Sequence, residues 1–417
     1  MHRAERFFQV LVISLLIILF SSRSQVYPGN ELERVRAYTR MIEFDYVTWT
    51  LDAVMGKTTQ GALGASRYIS SDSAKSTVLE YLQVVERSQF LEWEIESIFS
   101  DPQVADPEVE AAEKLKQLQS IQIERQELAA LAESILQAQI SQIVTELEIG
   151  SLGQPLPPLL FHVTELPLSL VVSPREVIRQ DANISLLPDL DLDEIIQLEK
   201  EVEEGLNVST LVTRIGGVGV YPTMVAQSTS LPWLTETVAH EWIHNYLTLH
   251  PLGIRYDTSA ELRTMNETTA SIAGKEIGIA VLETYYPEFV PEPVELVDPE
   301  NNPTPEPLPQ AFDFNTEMRL TRETADALLE EGKVEEAEAY MEERRIVFWN
   351  QGYQIRKLNQ AYFAFHGAYA DVPGGAAGED PVGASVRNLR AESQNLAAFL
   401  KTMAAMTSFE DLQKALQ

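Results

Sequence analysis

Apolar side chains recur at three- and four-residue intervals along most of this chain, the spacing that gathers them on one face of an α-helix. Between residues 30 and 149 the pattern predicts long helices at Glu31 to Met55, Ser73 to Phe99 and Pro107 to Leu147. Together they make an antiparallel bundle, and the last, charged with apolar positions at helical spacing, suits a coiled-coil hairpin. A Gly/Pro-rich link at Gly150 to Pro158 changes the texture. Short β-like runs follow at Leu159 to Val163 and Leu168 to Val172, then a helix near Leu192 to Glu203 and a Gly-containing run, Val208 to Met224 and Val225. These predict a mixed sheet within residues 150–285, ahead of a helix over Leu234 to Leu247. Pro287 to Pro309 is acidic and Pro-rich, so residues 286–316 read as an extended exposed linker. Residues 317–417 read as a C-terminal helical domain: a hairpin from Arg319 to Arg345 turning at Glu331-Gly332-Lys333, a helix from Phe348 to Ala368, a Gly-rich loop from Asp371 to Gly383 and a closing helix from Val386 to Met406. The fold class is therefore α+β and mostly helical.

The first residues follow a different pattern. Arg3 and Arg6 precede a mostly apolar run of 14 residues, Phe7 to Phe20, and a polar Ser21-Ser22-Arg23-Ser24 follows it. That run is short for a hydrocarbon core needing about 20 residues, and it has the length of a secretory apolar segment. Residues 1–24 are thus expected to be a signal peptide or signal anchor, with the body outside the cytoplasm, secreted or tethered to a membrane through residues 7–20. A net charge of −32 and an isoelectric point near 4.5 leave no basic footprint for nucleic acid. With no cysteine in the chain, disulfides and thiolate metal sites are excluded, and metal ligation falls to histidine and carboxylate.

Only six histidines are present, yet two of them bracket His240-Glu241-Trp242-Ile243-His244. Pro232 near its start and Pro251 beyond its end bound the helix that carries them. Leu234, Val238, Trp242 and Tyr246 make its apolar stripe, and His240, Glu241 and His244 lie off that stripe. Residues at i and i+4 share a helix face, so both imidazoles can converge on one tetrahedral ion, with Glu241 beside it as a base for an activated water. A third ligand is then needed. One candidate is His250, six residues after His244, where the metzincin pattern places its third histidine, although Leu247 stands where that pattern has glycine. The other is Glu267, on a further helix expected to begin near Thr264.

The two motifs, His240 to His244 and Asn266-Glu267-Thr268-Thr269-Ala270, resemble the gluzincin metallopeptidases, a family that includes thermolysin-like enzymes and many aminopeptidases. The likeness covers about residues 231–280. It implies a zincin-like core, bound Zn2+, the ligands His240, His244 and Glu267, Glu241 as general base, and a peptide or protein substrate cut as an amino- or endopeptidase. It also implies an edge strand for extended peptide, which Gly216 to Tyr221 would supply. Thermolysin-like enzymes have aspartate four residues after the ligand glutamate to orient a histidine, and here that place is Ser271. Glu276 on the same helix reads as solvated or paired with Lys275. Peptide hydrolysis further needs a donor for the oxyanion, commonly Tyr or His in such sites, and His366 and Tyr369 before the Gly-rich loop are the candidates. The rival from another class is a non-catalytic exported or membrane-tethered helical interaction protein whose zinc site is structural or degenerate.

Overall fold

The computed structural model describes residues 31–63, 69–100, 104, 106–150, 153–291, 312–366 and 381–417. The apolar run at 7–20, most of the Pro/Glu-rich segment, Tyr369 and most of the Gly-rich loop lie outside these described residues. Among the described residues no helix is long and apolar enough to cross a membrane.

In chain order the helices are α1 (Glu31–Thr39), α2 (Tyr46–Leu63), α3 (Ser71–Ser100) and α4 (Pro107–Glu146). The next stretch holds β1 (Phe161–Val163), β2 (Leu168–Pro174), β3 (Ala182–Leu186), α5 (Leu192–Leu206), β4 (Val208–Thr213), β5 (Gly217–Val218) and β6 (Thr223–Val225). Then come α6 (Leu231–Thr248), α7 (Pro251–Ile254) and α8 (Ala260–Tyr285). The C-terminal part contains α9 (Phe314–Glu330), α10 (Val334–Asn350), α11 (Gln360–His366), α12 (Pro381–Glu392), α13 (Leu396–Ala404) and α14 (Phe409–Ala415). The chain is α+β and mostly helical, with two small sheets among the described residues.

Several helices stop earlier than their apolar spacing predicts, each for a local reason. The stretch expected as one helix from Glu31 breaks after Thr39 because Phe44 N–H donates to Ser185 O and Leu187 N–H to Ile42 O, tying the segment to β3. Asp45 then restarts the helix, accepting from the N–H groups of Val47 and Thr48 at 3.0 and 3.1 Å. The helix expected over Phe348 to Ala368 ends at Asn350, where Gly352 takes φ +92°, and resumes as α11. The closing helix is divided at Asn395, whose side chain accepts from Ala398 N–H at 2.8 Å and starts α13. The turn expected at Glu331-Gly332-Lys333 is present, with Gly332 at φ +75°.

The predicted single sheet is two. One is antiparallel in the order β3-β2-β4, and the other is mixed in the order β1-β6-β5, with β1 and β6 parallel. β2 is buried along nearly its whole length because both faces of its sheet are covered. Val35 of α1 and Leu198 and Val202 of α5 pack on one face with Leu170 and Val172, while Ala361 of α11 meets Val171 and Leu211 on the other. The larger core joins α3 and α4 (Val78, Leu136, Ile140), α6 (Leu234, Val238, Trp242), α8 (Ala273, Ile277, Val281) and α12 to α14 (Val386, Phe399, Met403). Apolar packing thus runs continuously across residue 150 and beyond the linker. Residues 314–366 add their own cluster around Met318, Met341, Phe348 and Phe363.

One buried ion network fastens α5 to the segment after α10. Glu199, 3% exposed, accepts from Arg356 at 2.7 and 2.9 Å and from Val212 N–H at 2.6 Å, with Lys357 3.3 Å away. Burial opposes its charge, but Arg356, Lys357 and the Val212 amide prevail and hold its pKa below the ordinary 4.5. A carboxyl depressed in this way stabilises the fold above its unfolded pKa and loses that contribution as pH falls through the lower folded value. Urea midpoints of the wild type should therefore drop on acidification below about pH 4.5. Glu199→Gln should be less stable at neutral pH and show a flatter acid limb, and parallel limbs would refute the assignment.

Candidate metal centre

The metal helix α6 starts where Ser230 accepts from Trp233 N–H at 3.3 Å with Pro232 in the first turn. Its partner α8 begins four residues before the expected Thr264, capped by Ser259 accepting from Leu262 N–H. The two helices pack antiparallel at unusually short range. A Cβ on Gly278 would lie 3.0 Å from Glu236 Cα, and one on Gly274 would lie 2.9 Å from His240 N and Cα. Two turns before Gly274, Glu267 comes to face His244.

His240, His244 and Glu267 form the one group of ligating side chains among the described residues that could hold a metal ion. Nε2 of His240 and Nε2 of His244 are 3.1 Å apart, and Glu267 Oε2 lies 3.6 and 3.3 Å from them. A tetrahedral ion with bonds of 2.0–2.1 Å requires ligand separations of about 3.3 Å, so the three atoms already stand near the corners of such a polyhedron. Glu267 Oε2 is also buried without a hydrogen-bond partner, the condition expected of an oxygen reserved for a cation. Burial resists charge on Glu267, but the two histidines pull its carboxyl well below the usual range. At His244 burial likewise opposes charge, and the Glu267 carboxylate overrides it to raise the pKa to about 9.

The surrounding groups orient these ligands. Asn266 Oδ1 accepts from His244 Nδ1–H at 2.7 Å, which aims Nε2 at the cluster, where a metal would take the place of its proton. Ser271 Oγ is 3.5 Å from His240 Nδ1, a looser version of the same support. Tyr256, in the loop before α8, donates to Glu267 Oε1 at 2.5 Å and so turns Oε2 toward the histidines. Arg263 lies over the Tyr256 ring at 5.7 Å and donates to Gln180 O, fixing that loop. Nothing in the sequence around Tyr256 distinguishes it, and only the chain's path past Glu267 gives it this role.

Glu241 points beside the cluster rather than into it. It is 8% exposed, and burial pushes its pKa up, with the two histidines working against that shift and Glu267 with it. A Cβ on Gly217 would strike its side chain at 2.5 to 2.7 Å, and one on Gly219 would meet His244 Cβ at 2.7 Å. Glycine here lets β5, the outer strand of its sheet, and the turn after it lie directly against Glu241 and His244. Asn245 holds this segment on the helix by donating to Val220 O at 3.1 Å and Thr223 Oγ1 at 2.9 Å.

A cleft of about 450 Å³ opens on the His244 side, lined by Glu241, Glu267, Tyr256, Tyr46, Asn183 and Gly219 among others. A second of about 360 Å³ lies on the His240 side and includes Glu241, Trp233, Ser271, Phe365 and His366. His366 therefore reaches the site, its pKa pushed down to about 4 by burial, and is neutral near pH 7. Tyr369 lies outside the described residues. His250 is not drawn in: it sits at the start of α7 with Nδ1 2.8 Å from Tyr246 O and its ring against Tyr246. Glu276 pairs with Arg390 at 2.7 Å instead of Lys275. Comparison with known proteins gives no match to a family model, to a curated protein or to a solved structure.

Two variants test the construction by metal titration. Tyr256→Phe removes the group orienting Glu267, and metal affinity should fall roughly 10- to 100-fold with the fold intact. Unchanged affinity would mean Tyr256 is only a neighbour. Gly274→Ala inserts a methyl against the His240 backbone, costing about 1–3 kcal/mol in denaturant unfolding and weakening metal uptake together; no loss of either would show that the helices are free to part.

Proposed function

We propose that this protein is a zinc-dependent peptidase built on a zincin-like core, with His240, His244 and Glu267 as ligands and Glu241 as general base. The observation that carries this reading is the convergence of two imidazoles and one carboxylate within tetrahedral distance, with a second buried carboxylate alongside them and outside the ligand set. Two nitrogens and one oxygen from the protein, with no thiolate, leave a fourth position open and suit zinc in a hydrolytic site. Zinc supplies a Lewis acid and a water acidified to a pKa of about 7.

The chain's own residues do the rest. Glu241, with its pKa raised by burial, takes the proton of the attacking water and returns it to the leaving amine. Asn266 keeps the His244 tautomer correct through both steps. The free edge of β5 offers backbone groups to an extended peptide beside Glu241, the mode in which a substrate adds as a strand. His366, neutral and lining the same cleft, is the described candidate to donate to the carbonyl oxygen. The basic flank and apolar run at residues 3–20 support an extracytoplasmic location, secreted or membrane-tethered.

Glu241→Gln decides between catalysis and a structural zinc site. The variant should bind about one zinc per chain as the wild type does, while kcat on a quenched-fluorescent peptide library falls by at least about 100-fold. A wild type that binds zinc and cleaves nothing would favour the non-catalytic interaction protein.

A further inference from the structure

A larger cavity of about 770 Å³ lies beyond β5, between the α3–α4 hairpin and the chain leaving β1 and β6. It adjoins the metal cleft: Arg214 and Ile215 line both this cavity and the one containing His240 and Glu241. Arg214 precedes Gly217 by three residues, no more than about 11 Å of chain. An extended peptide lying along β5 and continuing toward Arg214 would come to the edge of this cavity.

The charges inside are arranged differently from those of the chain as a whole. Against 63 acidic residues the protein has 31 Lys and Arg, and its arginines commonly face carboxylates, as in Arg175 with Glu338 and Arg390 with Glu276. Arg125 and Arg214 both line this cavity, and among the described residues neither is paired with a carboxylate. Arg125 instead donates to Gln227 Oε1 at 3.1 Å, and Gln227 Nε2 is buried with no acceptor. The buried acid of the wall, Glu133, is already answered: it is 2% exposed, takes hydrogen bonds from His162 Nδ1 at 3.1 Å and Val163 N–H at 3.0 Å, and pairs with Lys57. Glu92, Glu165 and Asp189 also line the cavity and are exposed, as Arg214 is, but among the described residues none of them lies within ion-pair distance of either arginine, so both guanidinium groups keep donors to spare. The wall therefore holds two guanidinium groups free of carboxylate partners, a set that matches a carboxylate.

We propose that this cavity is a distal subsite of the metal cleft and takes the acidic portion of an extended peptide substrate, with Arg214 and Arg125 as its carboxylate-binding residues. The inference rests on the peptidase reading above and narrows it, since a substrate spanning both cavities is a chain of several residues carrying Glu, Asp or a free carboxyl terminus. His162, held by Glu133, gives the subsite a rigid floor rather than a reacting group.

Its test is binding rather than turnover. Fluorescence anisotropy is measured for a short labelled peptide of Ala, Leu and Gly carrying two adjacent Glu residues, and for its Gln counterpart, against zinc-loaded Glu241→Gln protein. The acidic peptide should bind about tenfold more tightly, the equivalent of one charge-assisted contact. Adding Arg125→Gln and Arg214→Gln should erase that difference and leave the Gln peptide unaffected, with the thermal midpoint confirming a folded variant. Equal binding of the two peptides, binding of neither, or a preference that survives loss of both arginines overturns the proposal. Turnover by the wild type separates this from the broader reading. Arginine-dependent binding without cleavage leaves an acidic-peptide site and sinks the peptidase, whereas cleavage with no acidic preference leaves the peptidase and sinks the subsite.

Discussion

The close antiparallel contact of α6 and α8 is the constraint on which the rest of the site depends. His240 and His244 are placed by one helix and Glu267 by the other, so the ligand separations of 3.1 to 3.6 Å exist only while the two axes stay together. Gly274 and Gly278 permit that approach by presenting backbone where any other residue would present a side chain. The apolar core on the far side supplies the force, since Val238, Trp242, Ala273, Ile277 and Val281 are all buried in the same cluster. Trp242 adds direction by donating its indole N–H to Pro157 O at 2.9 Å, linking the helix to the segment that leads into β1.

A second feature is the burial of charge at separate points in the fold, each with its own answer. Glu199 is met by Arg356 and Lys357, Glu133 by Lys57 and His162, and both sit where helices meet sheets. At the candidate metal centre Glu241 and Glu267 are buried, and among the described residues the two histidines are the cations that act on them. Like charges so near one another call for neutralisation, which the two histidines supply in part and which a divalent ion held by Glu267 would complete. Glu199 and Glu133 are paired with Lys or Arg, whereas Glu241 is not.

Much of the candidate site is legible in the order of residues alone. Two histidines four apart on an amphipathic helix carry their own geometry, because a helix fixes the direction of neighbouring side chains. Glu267 is legible only as one of two candidates for third ligand, and the fold brings it in and leaves His250 at a helix start. Tyr256 is not legible at all, and neither is the role of Asn266 toward His244, since both depend on which loop or helix turn passes behind a ligand. The glycines at 274 and 278 are visible as letters without a meaning, and those at 217 and 219 only as part of an expected edge strand. Their purpose appears only when the atoms that a Cβ would strike are known.

Local pattern determined what is decided within a few turns of chain: the long helices α3, α4 and α6, the turn at Gly332, the α+β class and the metal pair itself. Tertiary structure decided what depends on contacts between distant segments. It broke the first helix at Thr39 by pairing Ile42 and Phe44 with β3, split the sheet in two, and drew α3, α4 and α12 to α14 into one core around α8. The physical reason is one of range. Helical periodicity and end caps act between residues three or four apart and are written in adjacent letters, whereas strand pairing, ligand support and helix separation are set by partners up to hundreds of positions away.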